Sequence, residues 1–287
     1  MTSTVCELKD RQQFSDIIPC PDSLADLAAR EPANGVYLVA RSWQGGRVLE
    51  LDAHFDRLER SARALGHALE VPRGRLRRQL ERQRQASGWQ DVRFRVTAVL
   101  DTPAWWRISM EEARAVSDAL LRDGVRCRTL VHGGRRQPEV KSTAWLRDRA
   151  RLDGPGSGDS PVYETLLLDQ AGGVLEGSSS NFYAVIDGTL VTAGEGVLQG
   201  IARRIVLTVA RPLAPVRLAP PRLAELGHGS EAFISSATRG VVPVRQIDDL
   251  ALGPPGPITR QILSAYDEWL TAHLEPLLPV SDCTRSG

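Results

Sequence analysis

A lysine ahead of a helical pattern, a carboxylate closing a strand and a helix opening on glycine are the features of this sequence with chemical reach. The lysine is Lys141, in Val140-Lys141-Ser142-Thr143, one of very few in a chain whose basic residues are nearly all arginine. An amine can deprotonate and form a Schiff base with an aldehyde, whereas a guanidinium stays charged. The plainer alternative is a solvated lysine. The carboxylate is Glu176, in Val174-Leu175-Glu176-Gly177-Ser178-Ser179-Ser180-Asn181-Phe182. Glutamate, glycine and three small hydroxyl residues make a turn whose backbone can approach a ligand closely. A polar hairpin loop with a surface glutamate is the alternative there. Leu198-Gln199-Gly200-Ile201-Ala202 opens a helix whose free N–H groups can face an anion. Upstream of Lys141, the loop His132-Gly133-Gly134-Arg135-Arg136-Gln137-Pro138 offers two guanidinium groups. Either could clamp a carboxylate in bidentate fashion, or both could be solvated.

The elements that must position these residues follow from periodicity. Residues 35–41 read as a strand, Gln44-Gly45-Gly46 as a hairpin turn and 47–51 as the returning strand. Asp52 is a fitting N-cap for a helix over 54–65, with Phe55, Leu58, Ala62 and Leu65 on its apolar face. A second helix spans 73–86, and residues 91–100 alternate as a strand. Residues 101–106 break the pattern, 110–121 read as a short helix and 125–131 as a strand. Past Lys141 come a helix over 143–152, a Gly-rich loop over 153–158 and strands starting at Val162, Phe182 and Leu190. A helix over 201–210, strands at 232–235 and 241–244, and a helix over 258–273 complete the chain. This is an α+β pattern in two domains, 1–112 and 113–287, the second carrying Lys141.

Length and composition exclude several function classes. At 287 residues, 42% hydrophobic and 25% charged, the chain has the make-up of a soluble globular protein with ample core. Thirty-six basic against 35 acidic side chains leave a net charge of +1, which calls for neither nucleic acid nor membrane as partner. The arginine-dense stretch 73–84 is interleaved with Leu76 and Leu80 at helical spacing, so it reads as a solvated helix face. Cys6, Cys20, Cys127 and Cys283 are scattered, without metal-ligand spacing or a disulfide framework, so no metal is expected and a reducing cytoplasm suits them. The N-terminus lacks a signal-peptide pattern, and no apolar run is long enough to span a bilayer.

In this order, Lys141, the run Glu176-Gly177-Ser178-Ser179-Ser180-Asn181, Leu198-Gln199-Gly200-Ile201 and Ser235-Ser236-Ala237-Thr238-Arg239-Gly240 resemble the class IV aminotransferases. These are pyridoxal 5'-phosphate proteins of fold type IV, and the match is nearest to their uncharacterised aminotransferase-like members. The resemblance implies two α+β domains with the cofactor in the cleft between them, and a homodimer. It makes Lys141 the Schiff-base lysine, which also moves the proton at the substrate α-carbon. Glu176 becomes the acid beside the pyridine nitrogen, keeping the ring an electron sink. Ser180 and Asn181 would lie alongside the cofactor, and Leu198 would press on the ring. The phosphate would take Arg57, from His54-Phe55-Asp56-Arg57-Leu58 (Arg60 being the nearby alternative), with Gly200, Ile201, Ala202, Ala237 and Thr238.

Departures from the family pattern bear on substrate. No tyrosine precedes Tyr37, Leu38 stands where a glutamate is frequent, and Ala202 replaces a frequent threonine. Val96-Thr97 is followed by Ala98-Val99 rather than the Arg-Gly of D-amino-acid transaminases. Tyr37, Arg95, Arg135 and Arg136 are the residues offered for substrate. The implied activity is transamination between an amino donor and a 2-keto acid. An aminodeoxychorismate-type lyase, or a lapsed member with a binding role, are the alternatives on the same scaffold.

Overall fold

Alternation with a period of two decides the first half of the molecule. A computed structural model describes residues 2–8, 13–101, 103–131, 135–152, 162–227 and 229–278, and in it the chain divides into two compact units. The first comprises Met1–Arg114, Val140–Ala150 and His273–Gly287; the second comprises Ala115–Glu139 and Arg151–Ala272. The segment carrying Lys141 therefore groups with the first unit, a difference from a single division at residue 112.

The first unit contains β1 (Ser3–Leu8), β2 (Ile18–Cys20), α1 (Leu24–Ala28), β3 (Gly35–Trp43), β4 (Arg47–Leu49), α2 (Leu51–Ala64), α3 (Arg73–Ser87), β5 (Val92–Val99) and β6 (Trp105–Glu112). The chain then enters the second unit with α4 (Asp118–Asp123) and β7 (Val125–Val131), and α5 (Thr143–Leu152) begins directly after Lys141. The second unit continues with β8 (Glu164–Leu168), β9 (Val174–Gly177), β10 (Asn181–Ile186), β11 (Thr189–Thr192), α6 (Ile201–Ala210), β12 (Val216–Leu218), β13 (Glu231–Ser236), β14 (Gly240–Ile247), β15 (Leu250–Ala251) and α7 (Pro257–Ala272). Finally β16 (Leu274–Pro276) returns to the first unit, where it pairs with β4.

The first unit's sheet runs β16-β4-β3-β5-β6-β1-β2, antiparallel throughout. Its register aligns Leu38 with Val96 and Val96 with Ile108, so one face is continuously apolar. Phe55, Leu58 and Ala62 of α2, with Leu76 and Leu80 of α3, cover that face. Burying each large side chain contributes about 1.5–3 kcal/mol. The opposite face carries Tyr37, Arg95, Thr97 and Arg107, because their neighbours have taken the core side.

Two expectations change here. The helix expected over 110–121 is instead the end of β6 followed by α4. Trp106, Ile108 and Met110 are buried and alternate, and pairing with β5 overrides any helical preference. Asp52 is not the N-cap of α2. Glu50 holds that position at φ 47° and ψ 50°, and Leu51, fully buried, is drawn into the helix. Within the N-terminal thirty-odd residues, β1 pairs along its whole length with β6, and Ser23 forms a capping box with Asp26 on α1.

In the second unit the strand path runs β12-β11-β10-β13-β14-β7-β8-β9, and a pairing of Asn181 with Glu176 joins β9 back to β10. Six strands thereby close into a ring, with Glu176 at the closure. α7 has a single buried stripe of Thr259, Ile262, Tyr266 and Leu270. The Gly-rich stretch 153–158 lies outside the described residues. No described helix is long and apolar enough to cross a membrane, and no group of metal-ligating side chains occurs among the described residues.

Candidate active site

Two sets of polar side chains are buried, one in each unit. In the first, α2 presents His54, Arg57 and Ser61 from neighbouring turns, all buried, whereas Arg60 is exposed. An Arg57 Nη2 lies 3.3 Å from His54 Nδ1. Burial drives the imidazole pKa well below 6.5, and the charges of Arg57 and Lys141 push it the same way. The ring is therefore neutral, and since guanidinium only donates, Nδ1 accepts and the proton sits on Nε2.

Lys141 is held by its main chain. Its N–H donates to Ser61 Oγ at 3.3 Å, and its carbonyl accepts from the Tyr37 N–H at 3.0 Å. Thr143 fixes the next turn by accepting from the Gly35 N–H at 2.9 Å and donating to the Gly35 carbonyl at 3.1 Å. Gly35 must be glycine, because a Cβ there would meet the Ala98 carbonyl at 2.9 Å. The Lys141 ammonium nitrogen lies 5.0 Å from the centroid of the buried Tyr37 ring. Lys141, Arg57 and Tyr37 thus gather in one unit, together with His54 and Ser61, which sequence reasoning did not single out.

Arg95, offered for substrate, is engaged by protein groups. Its side chain is 3% exposed and its Nε donates to Glu31 Oε1 at 2.9 Å, with Nη1 on the Leu24 carbonyl. The alternation of β5 places Arg95 opposite the apolar core face, where α1 and Glu31 bury it.

In the second unit, Glu176 is buried with both oxygens engaged. Arg135 Nε forms an ion pair with Oε1 at 2.9 Å, and the Leu198 N–H donates to Oε2 at 3.0 Å. Arg135, offered for substrate, pairs with Glu176, while Arg136 is exposed. Asn181 donates to the Leu198 carbonyl at 2.9 Å, and Ser180 Oγ donates to Glu164 at 3.1 Å. These two side chains brace the turn through protein contacts. Glu164 also accepts from Ser178, Ser179 and Arg239. Burial raises its pKa, but the Arg239 charge and the serine hydroxyls outweigh this and hold it below the usual carboxylate range.

Two helix N-termini in this unit differ. The first amides of α7, from Ile258 and Thr259, are taken by the Glu231 carboxylate at 3.2 and 2.6 Å. At α6, Gly200 supplies no side-chain cap to Ile201 and Ala202, both buried. A Cβ on Gly200 would stand 2.5 Å from Asn181 Oδ1, so the approach to these amides is glycine-only. Ala237 and Thr238 sit half-buried in the tight turn joining β13 to β14, which ends on Gly240 at φ 65°. Glu164 and Arg239 were not foreseen. The signal available was three consecutive serine hydroxyls requiring an acceptor.

The amino-transferase class IV family model matches residues 35–247. The chain belongs to the class IV aminotransferases. D-alanine aminotransferase of Listeria monocytogenes is 30% identical over 268 residues, covering 87% of this chain and 92% of the relative. Branched-chain-amino-acid aminotransferase of Pseudomonas aeruginosa is 25% identical, covering 84% and 85%. Against probable branched-chain-amino-acid aminotransferases of Thermotoga maritima and Synechocystis, the match spans only 41% and 53% of those relatives. Among solved structures, the T.th. branched-chain amino acid aminotransferase with pyridoxamine 5'-phosphate superposes with a TM-score of 0.75 at 20% identity, covering 96% of this chain and 99% of that one. This likeness shows the fold, which is the α+β fold of type IV.

Pyridoxal 5'-phosphate is the cofactor of this class, and each unit, taken by itself, carries groups with the chemistry it takes. The group needs an amine, a ring-nitrogen carboxylate and an anion cup. Lys141 is an amine whose main chain is pinned on both sides. Glu176 is a buried carboxylate held at both oxygens, and each carboxylate oxygen can accept more than one hydrogen bond. The amides at α6, uncapped by any side chain and approached over glycine, suit a phosphate.

Proposed function

We propose that this chain transfers amino groups between an amino acid and a 2-keto acid, with Lys141 as the catalytic amine. The observation carrying this reading is the setting of Lys141: a part-buried lysine clamped at its N–H and carbonyl, with the amine directed over Tyr37. Such anchoring fixes where the amine works, and a group that moves a proton must be held within reach of it.

When bound, pyridoxal phosphate supplies an aldehyde for the amine and a ring that withdraws electrons from the substrate α-carbon. In this reading Glu176 would pair with the ring nitrogen, and Arg135 with the Leu198 amide orients that carboxylate. Arg57, the amides of Ile201 and Ala202 and the Ala237-Thr238 turn hold the phosphate. His54, neutral and accepting from Arg57, orients that guanidinium without adding charge. Lys141 would take the α-proton and deliver it to the cofactor carbon on the other side of the amino nitrogen. The relatives named for branched-chain amino acids and D-alanine support an amino-acid donor. With Ala98 and the committed Arg95, the carboxylate clamp of the D-specific enzymes is not reproduced. A homodimer acting in the cytoplasm is part of the same proposal.

The test is the visible spectrum of purified protein before and after borohydride, beside Lys141→Ala. A yellow band whose reduction fixes the cofactor's mass on the peptide containing Lys141 supports the reading. Amino donors should bleach the band, and a keto acid should restore it. Pyruvate released without an acceptor would favour the lyase chemistry, and a protein that stays colourless with added cofactor would sink both.

A further inference from the structure

We propose that Glu164 and Arg239 are positioning residues, an ion pair between a buried carboxylate and a half-buried guanidinium that locks the turn 177–180 to the hairpin 236–240 and so fixes the spacing of Glu176 and Thr238. The inference rests on reading those two residues as contacts of the cofactor's ring nitrogen and phosphate.

Glu164 opens β8, and its backbone is paired with Cys127 inside the closed ring of strands, so its carboxylate starts from a rigid base. Ser178 Oγ donates to it at 2.6 Å, Ser179 Oγ at 2.7 Å, the Ser179 N–H at 3.2 Å and Ser180 Oγ at 3.1 Å. Three consecutive hydroxyls thus converge on one buried group. The fifth donor is Arg239 Nη2 at 2.8 Å, which also reaches Ser179 Oγ at 2.8 Å. Arg239 Nε donates to Ser236 Oγ at 3.1 Å, and the guanidinium lies over the Tyr163 ring at 5.3 Å.

The consequence is geometric. The turn 177–180 is bounded by Glu176 and Asn181, which pair across the ring closure. Thr238 directly precedes Arg239. Pinning the guanidinium to Ser236 fixes one hairpin and pinning it to Glu164 and Ser179 fixes the other, so the two cannot drift independently. The packing leaves no slack, since a Cβ on Gly177 would meet Ser180 Oγ at 2.2 Å and Glu164 Cγ at 2.9 Å. A planar guanidinium can make all these contacts at once, where an ammonium would make a subset.

The experiment compares wild type, Arg239→Met, Arg239→Lys, Glu164→Gln and the double variant Glu164→Gln/Arg239→Met. Each is titrated with pyridoxal phosphate and with unphosphorylated pyridoxal, and each cofactor-free protein is followed by hydrogen–deuterium exchange. Arg239→Met should raise the pyridoxal-phosphate Kd about tenfold, while the pyridoxal Kd stays within about a factor of two. Exchange should accelerate at 177–180 and 236–240 alone. Arg239→Lys should recover part of the loss, and the double variant should be no worse than the poorer single. Should Arg239→Met not fold, Arg239→Lys and Glu164→Gln carry the same comparison. Unchanged phosphate affinity, or equal loss for both ligands with exchange rising across the second unit, would overturn the clamp. A wild type that binds neither ligand would remove the cofactor reading instead. Exchange confined to the two loops would then still support the clamp, and unchanged exchange would reject it.

Discussion

His54 in α2 and Glu164 in β8 are both buried ionisable groups, and they resolve burial in opposite ways. At His54, desolvation and the charges of Arg57 and Lys141 act in the same direction, and the imidazole is neutral. At Glu164, desolvation works against the charge, but Arg239 and three serines supply enough compensation to keep the carboxylate ionised. Burial alone therefore does not set the charge state; the neighbours do. The first unit presents cations beside a neutral donor–acceptor ring, and the second presents carboxylates already matched to arginines.

The strongest way to break this contrast is Lys141→Ala. It should lower turnover by more than about a thousandfold, measured in the half-reaction with an amino donor. Because Lys141 also depresses His54, the imidazole pKa should move back toward its ordinary value, a shift readable by NMR. Next in size, Arg95→Met leaves the buried Glu31 carboxylate to the longer Arg107 ion pair at 3.7 Å and should cost about 3 kcal/mol of stability by chemical denaturation. The KM for a carboxylate substrate should not change, because Glu31 and the Leu24 carbonyl engage Arg95; a raised KM would return it to the substrate site.

A pH series separates the two groups. Both folded pKa values lie below the ordinary ones, so each contribution to stability is complete above the ordinary value and is lost as pH falls through the folded one. For His54 the loss begins below 6.5, and for Glu164 only below 4.5. Urea midpoints should therefore fall in two stages on acidification. His54→Gln should remove the upper stage and Glu164→Gln the lower. The smallest effect belongs to Arg136→Ala, which should shift stability by less than about 0.5 kcal/mol and leave KM alone. A large change in KM would return Arg136 to the substrate site.

Much of the local structure was legible because it is written in short-range signals. The turn at Gln44-Gly45-Gly46, the helices α2, α3 and α7 and the apolar face of β5 follow from periodicities within a dozen residues. β6 was misread because Pro103 and the paired Trp105 and Trp106 look like a break, while the alternation of Trp106, Ile108 and Met110 has meaning only once β5 is beside it. Pairings distant in sequence were not legible. Arg95 finds Glu31 from 64 residues away, and Arg239 finds Glu164 from 75. The lysine, the glutamate and the glycine-led helix could be picked out by chemical type. What engages Glu176, and which residues brace the serine turn, required the folded strands.

The return of β16 to β4 has a consequence for biosynthesis. Because β16 and the Leu277 carbonyl that accepts from Arg77 follow the last helix of the second unit, the ribosome delivers the second unit's entire sequence before the first unit's edge strand exists. Until then, β4 presents an unpaired edge to the exit-tunnel surroundings, where chaperones meet nascent chains. The unit begun first is completed only after the second has been synthesised.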